Sequence, residues 1–591
     1  MSALATRSWR IIFGLRFLWV GAILVATLLI VMPVLSAVDE SVIFEDIKIP
    51  MRDGIRLQAR LYKSRHLKGP TPVLLRRFPL DKKRYEPEAQ RFAAAGYIAI
   101  IQDCRGRNGS EGVYGFYPAE GPDGFDTVEW IRRQPWCNGQ VGMWGMSYAG
   151  SSQWLAAGEG AKLDATAYAQ GASNSYNVEY FSGTFRLPAI RSGLRGALFG
   201  IPTELSESKE WPRWYLHLPL TEFDKAIGYS MPWRISILAH NRRDGFWKRM
   251  DVSGDIQQMN FPSQHIASYY DHICRETVRT FQAMRERSAT EFSRRNQQLI
   301  IGPWDHGNLR RKVADVDFGS QATLDMVGEN LNWFDRFLKK KSEVVKQSFP
   351  PVRYFMMGEN VWKTSTHWPP PEAKSVSFYL RSGGQANTRN GDGRLDRKPA
   401  RDQEPSDSFQ ADPSDPVPAA PAYGKQYREI SGPTDQQLAQ DRNDVLVYST
   451  APLSNPVSFA GPLTAELFVS ADTVDADWVI RLIDVHPSGF AQPLATGIQR
   501  GSFRDSEVRL SLLEPSKTYR LQIDLGHAAA RISAGHRLSL QIAGSCFPLF
   551  DRNTNTGEGP TGTRTRVATE QVLHSKTSAS RVLLPVLPAG H

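Results

Sequence analysis

Residues 141–150 read Val-Gly-Met-Trp-Gly-Met-Ser-Tyr-Ala-Gly and carry the most specific chemical signal in the chain. An apolar run enters a sharp turn, with Gly145 two places before Ser147 and the small residues Ala149 and Gly150 after it. This is the pattern of a nucleophile elbow, in which a strained strand-to-helix turn lifts a serine hydroxyl above the edge of a sheet. A side chain at 145, or a larger one at 149, would crowd the neighbouring backbone. The helix that follows aims its first N–H groups at a developing oxyanion. A serine hydroxyl is a weak nucleophile until a base, itself oriented by an acid, takes its proton. In the fold that uses this elbow the chain order is serine, acid, histidine. His306 lies in the loop Gly302-Pro303-Trp304-Asp305-His306-Gly307, after an apolar run at 298–301. Asp271 ends a strand-like run at 265–270, one strand–helix unit earlier. The expected set is Ser147 as nucleophile, His306 as base and Asp271 as orienting acid, and the expected chemistry is acyl transfer. Two rivals stand beside it. Asp305 adjoins His306, but its side chain should point away from the imidazole. His272 would serve as base only in a different topology.

These residues need a scaffold, and the pattern supplies one. Residues 42–61 alternate around Asp53-Gly54 as a hairpin would. Runs at 72–77, 97–102 and 141–144 read as strands buried on both faces. Helical stretches at 87–95 and 125–133 separate them, so the sheet should be parallel with helices on both sides. Strand-like runs vanish across 175–255, where Trp, Tyr, Arg and Pro are frequent, and a helical insertion over the sheet edge is expected. Sheet pattern returns at 298–302 and 352–357. After Trp368-Pro369-Pro370-Pro371, short alternating runs at 376–380, 463–469, 479–485, 519–523 and 538–542 predict an all-β sandwich. The expected domains are a leader or anchor at 1–38, an α/β-hydrolase core at 39–174 and 256–370, a helical cap at 175–255, and a jelly-roll β-sandwich at 371–591.

At this point the chain resembles a known family. Pro79-Leu80-Asp81-Lys82, Gln102-Asp103-Cys104-Arg105-Gly106, Ser110-Glu111-Gly112, Trp136-Cys137, the Ser147 elbow, Tyr270-Asp271 and the His306 loop look like the cocaine-esterase and X-Pro dipeptidyl-peptidase (CocE/NonD-type) serine hydrolases. Residues 441–450, 475–487 and Gly535-His536-Arg537-Leu538 resemble that family's C-terminal domain. The resemblance covers nearly everything after about residue 40 and implies the same triad, with the Tyr148 N–H as one oxyanion donor. The family's other donor is a tyrosine hydroxyl at the position held here by Leu80. Losing one donor costs about 2.7–4 kcal/mol of transition-state stabilisation. Either another hydroxyl fills the role, with Tyr85 the nearby candidate, or the enzyme is slow, or the site is silent. Relatives that take α-amino acid esters carry acids just after the catalytic Asp. Here His272, Ile273, Cys274 and Arg275 follow Asp271, which disfavours an ammonium-bearing substrate and favours an uncharged or anionic acyl group.

Composition sets the remaining bounds. The net charge is +10, but Lys and Arg are spread along the chain rather than gathered in a stripe, so a nucleic-acid partner is not expected. The run Lys339-Lys340-Lys341 reads as a solvated helix end. The four cysteines have no metal spacing, and Cys104 and Cys137 fall at opposite sheet edges, where they cannot bridge. Asp472, Asp475 and Asp477 read as turn residues rather than a calcium loop. No metal or organic cofactor is expected. Arg7, Arg10 and Arg16 precede an apolar run from Phe17, either a cleaved signal peptide ending near Ala37 or an uncleaved membrane anchor. Both place the catalytic part outside the cytoplasm. The partner is then a small ester or amide substrate, with a dipeptidyl-peptidase and a non-catalytic, membrane-tethered binding protein as the alternative readings. A carbohydrate-binding role for the sandwich is a further alternative, and the oligomeric state is left open.

Overall fold

The computed structural model describes residues 41–191, 202–340, 349–426 and 432–589. The leader or anchor expected at 1–38 lies outside them. Among the described residues no helix is long and apolar enough to cross a membrane.

The first half builds a ten-stranded sheet. Its strands are β1 (Val42–Pro50), β2 (Arg56–Ser64), β3 (Thr71–Phe78), β4 (Ile98–Asp103), β5 (Cys137–Met146), β6 (Ala165–Ala169), β7 (Ser263–Ser268), β8 (Gln297–Gly302), β9 (Val352–Met356) and β10 (Val361–Ser365). In space they run β1-β2-β4-β3-β5-β6-β7-β8-β9-β10. β1 and β2 form the antiparallel hairpin. From β4 to β9 neighbouring strands are parallel. β3, β4, β6, β7 and β8 are buried along their whole length; in β3 and β4 this shows as apolar runs, whereas β7 buries polar side chains that are hydrogen-bonded, His265 with Tyr168 and Gln264 with Gln298.

Parallel strands need crossovers, and helices make them. These are α1 (Glu86–Ala94), α2 (Glu120–Arg132), α3 (Tyr148–Gly158), α4 (Cys274–Arg287) and α5 (Met326–Phe337). The β6–β7 connection is the exception. Among the described residues it carries short helices, from Tyr176–Glu179 to Ile256–Gln258, and a ribbon of two two-residue strands. Its aromatic residues, Trp211, Tyr215 and Trp247 among them, join the same apolar cluster as Tyr148 and Trp154. Lys339 departs from the solvated-turn expectation: its ammonium donates to the Ala95 carbonyl at 2.6 Å and lies 3.7 Å from the Tyr97 ring centre.

The second half is a β domain. Its long strand Val457–Ala471 pairs antiparallel with Tyr519–Ile532, Ala568–Leu573 and Arg581–Val586. Each of the five runs expected there falls inside an observed strand. The three aspartates set aside as turn residues are spent on hydrogen bonds and ion pairs: Asp477 with Arg500 at 2.8 Å, Asp475 with the Ser502 N–H at 2.8 Å, and Asp472 with the Thr569 N–H at 2.8 Å. All four cysteines are buried and free.

Candidate active site

Ser147 is the single residue between β5 and α3, with φ 60° and ψ −122°. A non-glycine residue holds such a conformation only where its surroundings over-determine it. Here the Ser147 N–H is tied to the Ala169 carbonyl of β6 at 2.9 Å. Gly145 has φ 144°, and a Cβ there would sit 2.5 Å from the Ala149 Cβ. Strand end and first helical turn therefore touch, and the small residues of the elbow are a steric requirement. The Tyr148 hydroxyl anchors the helix start by donating to Glu120 Oε1 at 3.1 Å and the Phe116 carbonyl at 3.2 Å. Glu120 is paired in turn with Arg77 at 2.8 Å, both wholly buried.

The three residues singled out from the sequence converge at the C-terminal edge of the sheet. His306 Nε2 lies 2.8 Å from Ser147 Oγ, and His306 Nδ1 lies 2.9 Å from Asp271 Oδ1. An acceptor at Nδ1 puts the imidazole proton there and leaves Nε2 free to accept from the serine. Burial alone would raise the Asp271 carboxyl, but His306 and His272 outweigh it and hold it well below the usual carboxylate range. Asp305 does not take this role: burial pushes it up to about 6, and the imidazole turns to Asp271.

Two contributors were not legible in the sequence. The first is Gln170, which follows β6 with φ 51° and no exposed surface. Its Nε2 donates to the Asp305 carbonyl at 2.7 Å and to Ser268 Oγ at 2.6 Å, while its Oε1 accepts from the Gly307 N–H at 2.7 Å. It thus grips the chain on either side of His306. The second is His272, weighed only as a rival base. Its Nδ1 lies 2.9 Å from the same Asp271 oxygen, with its ring 4.7 Å from that of His306. Burial and the nearby Arg186 push it down to about 3, so it is neutral at pH 7.

The expected oxyanion residues divide. The Tyr148 N–H lies in the first turn of α3, where no preceding turn supplies an acceptor. Leu80 is buried in the same apolar cluster as Phe78 and Tyr148. The Tyr85 ring lies 3.6 Å from the Arg76 guanidinium and edge-on to Phe78 at 5.1 Å, which packs it beside β3.

A cavity of about 110 Å³ opens beside the acid, walled by Asp271, His272, the short-helix segment and the β domain. Among the described residues, two His/Asp groups have ligand atoms close enough to hold a metal: Asp271, His272 and His306, and Asp484, His486 and His536. In the first, Asp271 Oδ1 and His306 are already committed to the hydrogen-bonded chain from Ser147.

Known proteins resemble the chain along most of its length. The family model of the X-Pro dipeptidyl-peptidase (S15 family) matches residues 53–308, and that of the X-Pro dipeptidyl-peptidase C-terminal non-catalytic domain matches residues 344–583. Cocaine esterase of Rhodococcus sp. (strain MB1 Bresler) is 33% identical over 567 residues, 91% of this chain and 95% of the relative. A solved α-amino acid ester hydrolase is 25% identical with a TM-score of 0.78, over 94% of this chain and 98% of that one. An aminopeptidase from a marine sediment Thaumarchaeota archaeon, 24% identical, shares the fold with a TM-score of 0.79 over 93% of this chain and 97% of its own. An α/β-hydrolase core, a C-terminal β domain and this likeness along nine-tenths of the chain have one reading: the chain belongs to the cocaine-esterase and X-Pro dipeptidyl-peptidase family of serine hydrolases.

Proposed function

We propose that this serine hydrolase is an esterase in which Ser147, His306 and Asp271 form the catalytic triad. The observation that carries the reading is the unbroken hydrogen-bonded chain from Ser147 Oγ through His306 to the buried, ionised Asp271. Ser147 Oγ attacks the ester carbonyl as its proton passes to His306 Nε2. Asp271 holds the tautomer and stabilises the imidazolium. The tetrahedral oxyanion receives the Tyr148 N–H and a backbone N–H of the loop after β3, at Leu80 or Asp81, the usual second donor of this fold. His306 then protonates the departing alkoxide. Water, deprotonated by the same imidazole, releases the acid and restores Ser147.

The short helices between β6 and β7 serve as a cap, with the stacked pair Phe116 and Trp233, 5.3 Å apart, between core and cap. The β domain, read as a jelly roll, closes the other side. The four residues after Asp271, His272, Ile273, Cys274 and Arg275, include no carboxylate to hold a substrate ammonium, and Glu276 beyond them accepts from Ser173 and Asn177. Esters of uncharged or anionic acids are therefore the substrate class, ahead of amino acid esters and peptides. The basic, apolar N-terminus supports export or membrane anchoring, with the catalytic part outside the cytoplasm.

A fluorophosphonate probe tests the reading on the full chain. Wild type should label and Ser147→Ala should not, and the substitution should lower kcat by about 10⁴-fold or more. A folded wild-type protein that stays unlabelled would mean a silent site and a binding protein on a hydrolase scaffold.

A further inference from the structure

The cavity beside Asp271 gathers three guanidinium groups from three parts of the chain: Arg186 from the cap, Arg275 from α4 and Arg481 from the β domain. They are not equally provided for. Arg275 has its counter-ion, with Nε 3.2 Å from Asp524 Oδ1, and it lies 3.8 Å from the Phe181 ring centre. Arg481 is 3% exposed. It donates to the Ala419 carbonyl at 3.1 Å, to Cys546 Sγ at 2.8 Å and to Gln436 Oε1, all uncharged acceptors. Arg186 is 7% exposed, and its hydrogen bond runs from one Nη to the Val178 carbonyl at 3.2 Å. Neither Arg186 nor Arg481 has an ion pair among the described residues. The carboxylates nearest to hand are already used: Glu179 by Arg234 at 2.5 Å, and Asp271 by two imidazoles.

Burying a cation without its counter-ion is costly. Burial lowers the Arg186 guanidinium to about 10, which still leaves it charged at pH 7. The remaining walls include Phe181, Leu525 and Phe550, an apolar lining suited to a short methylene chain. Two guanidinium groups without an ion pair, both lining a partly apolar cavity that Asp271 also lines, fit an aliphatic carboxylate.

We propose that this cavity binds the carboxylate of an aliphatic acid, with Arg186 and Arg481 as its counter-ions, so that the enzyme takes acyl chains ending in a second carboxylate. The substrate half rests on the esterase reading above; the anion-binding half does not.

Calorimetry tests the binding on the full chain carrying Ser147→Ala. Adipate should bind and neutral adipamide should not, and Arg186→Gln, which keeps a polar side chain and loses the charge, should weaken adipate by about tenfold or more. No adipate binding, or binding that Arg186→Gln and Arg481→Gln both leave unchanged, overturns the proposal. Arg481→Gln supplies the comparison if Arg186→Gln does not fold. Kinetics on wild type then separate the sources of the carboxylate. If p-nitrophenyl hydrogen adipate has a lower KM than p-nitrophenyl hexanoate, and Arg186→Gln removes that advantage through KM rather than kcat, the carboxylate belongs to the substrate. Equal KM values beside Arg186-dependent adipate binding assign the cavity to a free carboxylate and remove the substrate half. Hydrolysis of neither ester sinks the esterase reading, while calorimetry still decides the cavity.

Discussion

At the residue scale, the proposed triad of Ser147, His306 and Asp271 is held in place by residues outside it. Gln170 is the clearest of these. Its amide holds the Asp305 carbonyl and the Gly307 N–H at once, so the backbone on both sides of His306 is pinned to β6. Gln170→Leu removes both clamps at similar volume. A misplacement of about 1 Å near a catalytic base costs about 10²-fold, so kcat should fall on that order while KM changes little. Steady-state kinetics with a neutral ester decide it, and a KM-dominated effect would assign Gln170 to the pocket instead. Leu80 belongs to the same scale. With an alkyl side chain there, the proposed oxyanion hole draws on backbone donors, which need no particular side chain.

At the element scale, the elbow depends on contact between β5 and α3. Gly145→Ala would place a Cβ 2.5 Å from the Ala149 Cβ, at a backbone φ of 144° that side chains rarely adopt. Backbone strain of this kind costs about 1–3 kcal/mol before any clash, so chemical denaturation should register at least that loss. Fluorophosphonate labelling should fall with it, because relieving the clash moves Ser147 off its strained position. Gly139 is the matched control: its φ is also positive, at 87°, but nothing lies within 4 Å of its would-be Cβ. Gly139→Ala should leave labelling intact, and equal loss in both variants would refute the contact argument.

At the scale of the whole molecule, buried ionisable groups tie stability to pH. Burial pushes His265 down to about 3, His272 to about 3 and His527 to about 4. His265 is neutral between the Tyr168 hydroxyl at 2.7 Å and Gln297 Oε1 at 2.9 Å. In the unfolded chain these groups titrate near 6.5. Between about 6.5 and the folded values the unfolded state binds more protons, so stability rises with pH across that window. It is complete above about 6.5 and lost progressively as pH falls toward 4. Asp271, held low in the fold, contributes stability above its unfolded value near 4 and loses it in stronger acid. Asp103, Asp305 and Asp475, which burial pushes up to about 6, act in the opposite sense between about 4 and 6. The histidine share is therefore read as a difference: the thermal unfolding midpoint of the wild type should lose more between pH 7 and pH 4 than that of His265→Gln. An equal loss in both proteins would contradict it.

The order of strands and helices, the elbow and the meeting of Ser147, His306 and Asp271 were readable in the chain because each is locally encoded. Strands such as β3 and β4 carry apolar runs, a strained serine needs small neighbours two positions away, and His306 and Asp271 each follow a strand in the order that the fold demands. What only tertiary structure decided lies where side chains from distant segments meet. Gln170 carries no periodic signal, since its partners at 268, 305 and 307 come from other strands' loops. Tyr85 is close to the oxyanion loop in sequence, yet the β3 guanidinium of Arg76 claims its ring. The cavity needs residues 186, 275 and 481 brought together by the β6–β7 connection, α4 and the β domain. Local pattern records which face of an element is apolar; it does not record which charged groups end up buried face to face, because that depends on how the elements dock.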